Sequence, residues 1–407
     1  MKKREKNIIA YRSYDDAKIT EDGSIQDTPE YNDYYLTVSM RFRTAKIICV
    51  FALCIFILSS MLIFGESLTY ENARYIVRDL GQILSEDSDE PAPQINVDID
   101  GDTDYTVFRG SIVVCGVSGV EIFSPSGTLK LSDNTSFISP TAAASDKYCV
   151  VYSLGSYNLS VYNAVARVYD MKFDYPIYDV AVSDDGHIAI MTQNSEYKCV
   201  VYLYDSDFRQ IATYNKVLYP CAVAFSADSK DLYIATFGTT EGKYSTKLEG
   251  YTLDSEVPIC SVTVAGAMPY DVSPTSDKTV ALLTADSLVY YSREGNRIAD
   301  ISLSGGVSAY HSTDSSFSLL IDDGTVRSVS YDNYGELIHT YEANDAIDIH
   351  RSDSALLIRY KSSVRVYPDS GAEAYSLELV HGVKEMFSHD GYLYVCRDNT
   401  ITSIRLE

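Results

Sequence analysis

Tryptophan does not occur among the 407 residues, and no two of the eight cysteines are adjacent or spaced as CxxC. A Cys and His pattern that a zinc site would need is missing as well. There is no G-x-S-x-G elbow, no H-E-x-x-H pair and no glycine-rich phosphate loop, so no motif points to a catalytic mechanism. Beyond residue 46 the chain has no basic excess: about 24 Lys and Arg stand against about 49 Asp and Glu. A surface that acidic repels nucleic acid and anionic lipid headgroups, which excludes nucleic acid as a partner. Its charge suits basic partners or divalent cations. From about residue 94 onward the long 3.6-residue periodicity of helices is absent too.

What is present begins with an apolar run. Ile47 to Phe64, "IICVFALCIFILSSMLIF", carries no charge and includes Cys49 and Cys54. Eighteen helical residues reach about 27 Å, enough for a bilayer core. The run has no polar face, 46 residues precede it, and no small-residue cleavage site follows closely, so it reads as an uncleaved transmembrane anchor. Arg41, Arg43 and Lys46 crowd its N-terminal side and Glu66 and Glu71 lead the other. The basic flank stays in the cytoplasm, which places the acidic bulk outside. Residues 1–46 read as a polar, disordered cytoplasmic tail; tyrosines beside acids in "TPEYNDYY" are candidate phosphorylation targets. Residues 66–93 read as a juxtamembrane helix followed by the acidic linker "SEDSDEPAP".

The remainder, 94–407, repeats itself. "VAVSDDGHIAI" (Val180–Ile190) returns as "VAFSADSKDLYIA" (Val223–Ala235) and more weakly to "FSHDGYLYVC", which ends at Cys396. One unit reads "YDVAVS", "HIAIMTQ", "CVVYLYDSD", "RQIATYN": four strands in about 40 residues, the period of a β-propeller blade. Units fall at 104–131, 136–175, 177–216, 219–265, 268–304, 306–342 and 344–380. The final stretch supplies only three strands, and "QINVDID" (Gln94–Asp100) is expected to add the fourth and latch the ring. That makes eight blades, with seven as the alternative. The abundant Tyr, 35 residues, suits sheets whose faces are half dry.

These strand–turn–strand phrases resemble WD40-, TolB- and YVTN-type propellers, a likeness that implies blade architecture and not an activity. The chain as a whole resembles an uncharacterised family, of unknown function, of Gram-positive, clostridial-type single-span membrane proteins with an extracytoplasmic propeller. The resemblance implies a topology and brings no site residues.

Each candidate site also has a plain structural reading. Asp185, Asp228, Asp277, Asp314, Asp353 and Asp390 recur at the turn between first and second strands, where Asp serves turn chemistry rather than catalysis. His311 and His350 close first strands where Ser183 and Ser226 stand elsewhere; a two-His metal site and simple drift of the repeat are the two readings. Asp98, Asp100, Asp102 and Asp104 in "DIDGDTD" alternate as calcium ligands do, or belong to an acidic lead-in strand. Cys115, Cys149, Cys199, Cys221, Cys260 and Cys396 read as buried free thiols, with Cys149 and Cys199 at one position of adjacent repeats. Without tryptophan or vicinal cysteines, a quinone-dependent propeller enzyme is excluded.

The expectation is an all-β, eight-bladed propeller on one N-terminal transmembrane helix, single-pass in the cell membrane, N-terminus cytoplasmic and C-terminal domain extracellular. It acts as a non-enzymatic binding or scaffold module at the bacterial envelope, its partner a protein, peptide or glycan. No catalytic, cofactor-binding or metal residue is assigned. The alternatives are a lactonase-like hydrolase or lyase with a metal in the central funnel, and a calcium-stabilised adhesion module.

Overall fold

A computed structural model describes residues 33–63, 91–99, 101–240, 242–276, 278–352 and 354–406. The chain divides into two compact units, Met1–Gly81 and Gln82–Glu407. In the first, one helix runs from Asp33 to Ile63. No Gly or Pro interrupts this stretch, and Leu, Met, Arg, Ala and Lys favour helix. The helix therefore starts fourteen residues before Ile47, and residues 33–46 of the expected disordered tail are helical. Apolar side chains are exposed all around it, Phe42 at 76% and Phe51 at 68% among them. Among the described residues no helix is long and apolar enough to cross a membrane. The expected span 47–64 extends past Phe56, where described helix side chains end; the rest of the tail (1–32), the juxtamembrane helix and the linker up to residue 90 lie outside the described residues.

The second unit is eight four-stranded antiparallel sheets. They span 103–134, 140–172, 179–216, 219–265, 269–302, 306–342 and 348–378, and the eighth joins 385–405 to 94–96. In each of the first seven, strands follow chain order across the sheet. Neighbouring first strands meet around the ring, and that of blade 8 meets that of blade 1. First strands are thus innermost. The eight-blade count stands, and the expected latch is real: Gln94, Ile95 and Asn96 pair with Thr402, Ile401 and Thr400. Ile95, Val97 and Ile99 sink into an apolar cluster shared by blades 8 and 1.

Burial follows the sequence pattern strand by strand. Second strands such as Cys149–Ser153 and Ile188–Thr192 are buried throughout and read as unbroken apolar runs. Fourth strands such as Arg297–Ser302 alternate, because they form the rim. The cores lie between sheets: Ala189, Met191 and Val201 of blade 3 pack with Val223, Leu232 and Ile234 of blade 4. Each fully buried Leu or Ile contributes about 1.5–3 kcal/mol. One equivalence needs correction: Cys149 opens a second strand, whereas Cys199 opens a third. Both strand classes are dry on two faces, so both spell Cys-Val-Val-Tyr, and local composition could not tell them apart. All six thiols are unpaired; five are buried and Cys221 is half-buried.

Candidate functional site

The innermost strand of every blade is a sheet edge, and its axial N–H groups have no ladder partner. In five of the eight blades the sequence places an acid near the head of that strand. Asp104 accepts the Tyr105 N–H at 2.9 Å and, across the seam, the Ala142 N–H of blade 2 at 2.8 Å. Asp179 repeats this with Val180 at 2.9 Å and Val223 of blade 4 at 2.8 Å. The Tyr105 N–H also favours the carboxylate of Glu385 in blade 8. Asp271 keeps the local bond to Val272 at 2.8 Å but turns its second oxygen to Ser273. Asp348 bonds Ile349 at 2.9 Å and pairs with Arg359 at 3.3 Å.

These five acids sit deep in the seams yet keep some exposure, as side chains beside a narrow axial channel do. Burial raises Asp179 to about 6, with Asp271 adding to it. Burial, then the charges of Asp104 and Asp348, pushes Glu385 up to about 8, so it holds its proton at neutral pH. Burial raises Asp104 and Asp271 against their backbone donors. Acids gathered at the axis are what a funnel enzyme would need, but these are engaged by backbone. Among the described residues no group of three His, Cys, Asp or Glu side chains is placed to hold a metal ion. Of the five, the sequence pattern marks only Asp104, as a calcium candidate. For four of them the signal is an acid directly before Val, Ile or Tyr in "TDYTV", "YDVAV", "YDVSP" and "IDIHR"; Glu385 precedes Met386 and lacks it.

The other candidates disperse. Asp98 is exposed, Asp104 turns into the seam, and Asp100 lies outside the described residues, so the calcium run is not assembled among those described. Asp185 and Asp228 do sit in first turns: Gly186 and Ser229 take positive φ of 89° and 57°, and Ser226 Oγ donates to Asp228 at 2.8 Å. Asp390 itself takes φ of 47°, while Asp277 and Asp353 lie outside the described residues. His311 and His350 do not occupy the Ser183 and Ser226 position. Turn bonds Ser183 N to His187 O, Ser226 N to Asp231 O, Thr313 N to Ser316 O and Ser352 N to Ala355 O show that Thr313 and Ser352 do. The histidines stand two residues earlier, inside the seam. His311 Nδ1 accepts the Arg351 N–H of blade 7 at 3.3 Å, and His350 Nε2 accepts the Ser388 N–H of blade 8 at 3.1 Å. Nitrogens occupied in this way are not free to bind a metal. Burial also lifts the Cys149 and Cys199 thiols to about 12, which leaves them unreactive.

The two ends of the ring differ. The upper face carries the turns between second and third strands and the loops between blades; the lower face carries the remaining turns. Exposed on the upper face are Ile138 (77%), Val217 (70%), Tyr219 (52%), Tyr244 (61%), Met268 (52%) and Tyr270 (43%). The lower face also exposes Leu129, Ile211, Val257, Tyr334 and Leu337, spread over blades 1, 3, 4 and 6, whereas five of the six upper residues surround blade 4. In blade 4 the second and third strands run ten residues each, Asp231–Thr240 and Lys243–Thr252, against five to seven elsewhere. Their hairpin overtops the upper face by about 10 Å at 3.3 Å per residue. Lys198 lies 4.2 Å from the Tyr219 ring centre. Both ends of the ring's chain attach below, where Ala92 N bonds Pro125 O and Leu406 N bonds Gly391 O.

The fold is widely shared. BamB from Moraxella catarrhalis superposes with a TM-score of 0.56 at 11% identity, covering 78% of this chain and 97% of BamB. Sqt1 from Saccharomyces cerevisiae gives 0.54 at 8% identity, covering 78% and 100%. The WD40 domain of SCAP from fission yeast gives 0.53 at 13%, covering 78% and 97%. At such identities the likeness shows the propeller fold alone. No curated protein matches the chain. Residues 89–406 match DUF5711, a family of unknown function, and the chain belongs to that family.

Proposed function

We propose that the protein is a membrane-anchored, non-enzymatic binding module whose upper propeller face docks a protein partner outside the cell. The single observation that carries this is the group of exposed Val217, Tyr219, Tyr244, Met268 and Tyr270 around blade 4 on the upper face. Monomeric proteins rarely expose large contiguous apolar patches, and aromatic residues beside Lys198 and Lys243 are what interface anchors look like. In a chain of net charge −24, these lysines make the blade 4 region the part suited to a neutral or acidic protein surface. Ala92 and Leu406 both bond to lower turns. The bilayer reading rests on the uncharged run 47–64 and its basic flank, and the envelope location follows from that topology.

The test places a photo-crosslinking residue at Tyr244 or Tyr270 on the upper face, or at Tyr334 on the lower face, in the full-length chain in cells. One protein captured from the upper positions only, and lost with Tyr219→Ala, supports the reading. Equal capture from both faces overturns the docking face. A lactonase-like hydrolase is favoured instead by no capture together with a stoichiometric metal and ester turnover. Protease access to the C-terminal region in intact cells checks the topology separately, and shielding there would refute the membrane arrangement.

A further inference from the structure

We propose that His311 and His350 form an acid-releasable latch that holds blade 7 between blades 6 and 8. Each imidazole does in its seam what a carboxylate does elsewhere. His311 takes the Arg351 N–H at 3.3 Å, and His350 takes the Ser388 N–H at 3.1 Å with Ser388 Oγ at 3.0 Å. A ring nitrogen accepts N–H only while it carries no proton. The rings are also neighbours, their centres 4.0 Å apart and their planes tilted by 57°. A proton on either ring therefore removes an inter-blade bond and sets a cation against its partner.

The surroundings offer an imidazolium little help. On the innermost strand of blade 7, Asp348 acts on His311, but it is already bridged to Arg359 at 3.3 Å. Arg351 is bridged to Asp369 at 2.6 Å. Blade 8 presents Ser388 and Glu385, and Glu385 keeps its proton at neutral pH. Toward blade 5, Ser273 meets Ser312 at 3.0 Å and its hydroxyl also reaches Asp271, itself raised by burial, at 3.2 Å. Burial, with His311 beside it, holds His350 down to about 3, and burial holds His311 below its usual value. Lowered histidines give stability that is whole above the unfolded value near 6.5. It declines as pH falls below that value and is exhausted at the folded one. On acidification the seams on either side of blade 7 loosen, next to the blade that closes the ring.

The test is hydrogen exchange of the full-length chain, read as protection factors for peptides containing Arg351 and Ser388. Between about pH 7.5 and about pH 5, wild-type protection there should fall about tenfold further than in the His311→Asn, His350→Asn double variant, whose amide oxygens accept N–H without titrating. Equal change in both proteins, or none in wild type, overturns the latch. Should the variant not fold, ¹⁵N imidazole spectra of the wild type decide. Rings still neutral at about pH 6 that lose seam protection on their first proton support the latch, and rings titrating near 6.5 with seam protection unchanged refute it.

Discussion

Two groups of seams in one ring perform the same task with opposite chemistry. Between blades 1 and 2 and blades 3 and 4, a carboxylate takes the orphan N–H of the next strand. Between blades 6 and 7 and blades 7 and 8, a neutral imidazole does so. At these four seams the next strand's N–H finds a side-chain acceptor, and the ring does not specify which kind. The difference shows in the sign of the pH response. Asp179, raised to about 6, binds its proton more readily folded than unfolded, so stability from that seam falls as pH rises from about 3.8 to about 6. Histidines with lowered values do the reverse, losing stability as pH falls. The two responses therefore oppose each other over the same range, about pH 4 to 6.

The most damaging change should be one that breaks the ring rather than either group. Ile95→Asp sets an unpaired charge in the cluster of blades 8 and 1 and should cost about 4 kcal/mol, read as loss of a cooperative thermal transition. Next, Asp179→Ala orphans the N–H groups of Val180 and Val223, at about 1–3 kcal/mol each where water cannot replace the acid. A melting midpoint unchanged at neutral pH would show that channel water serves these groups instead. Glu385→Gln sharpens the contrast. Wild-type stability should fall as pH rises from about 4.5 to about 8, and the variant should lack that slope. At about pH 9 the variant should be the more stable, by up to about 5 kcal/mol if Glu385 alone holds the proton and less where Asp104 and Asp348 share it. Denaturant midpoints at several pH values read this directly. The smallest effect belongs to Asp348→Asn. It weakens a partly buried bridge to Arg359, should cost about 1 kcal/mol, and should move His311 further below its usual value by removing a favourable charge.

Most of the architecture was legible from the chain because its causes are local. Turn residues recur every 40 or so positions, second strands are apolar without break, fourth strands alternate, and "QINVDID" is a strand without neighbours in its own stretch. Each of those patterns answers to contacts within one sheet or to dryness on its two faces. The limits of local reading show at Cys149 and Cys199, which share four letters and occupy different strands. They show again at His311 and His350, displaced by two residues from the turn position they seemed to share with serines.

Asp179 in "YDVAV" marks the division. Its letters state that a strand begins there and that its hydrophobic face follows. Its partner, the Val223 N–H, is 44 residues away and meets it only because two blades stand side by side about a common axis. The burial that lifts Asp179, the proton that Glu385 retains and the pairing of two histidines all arise from that meeting. The repeat determined the sheets, since a strand's alternation depends on near neighbours. Only the closed ring decided which edge groups face each other, because an unsatisfied backbone N–H takes whatever acceptor the next blade brings within reach.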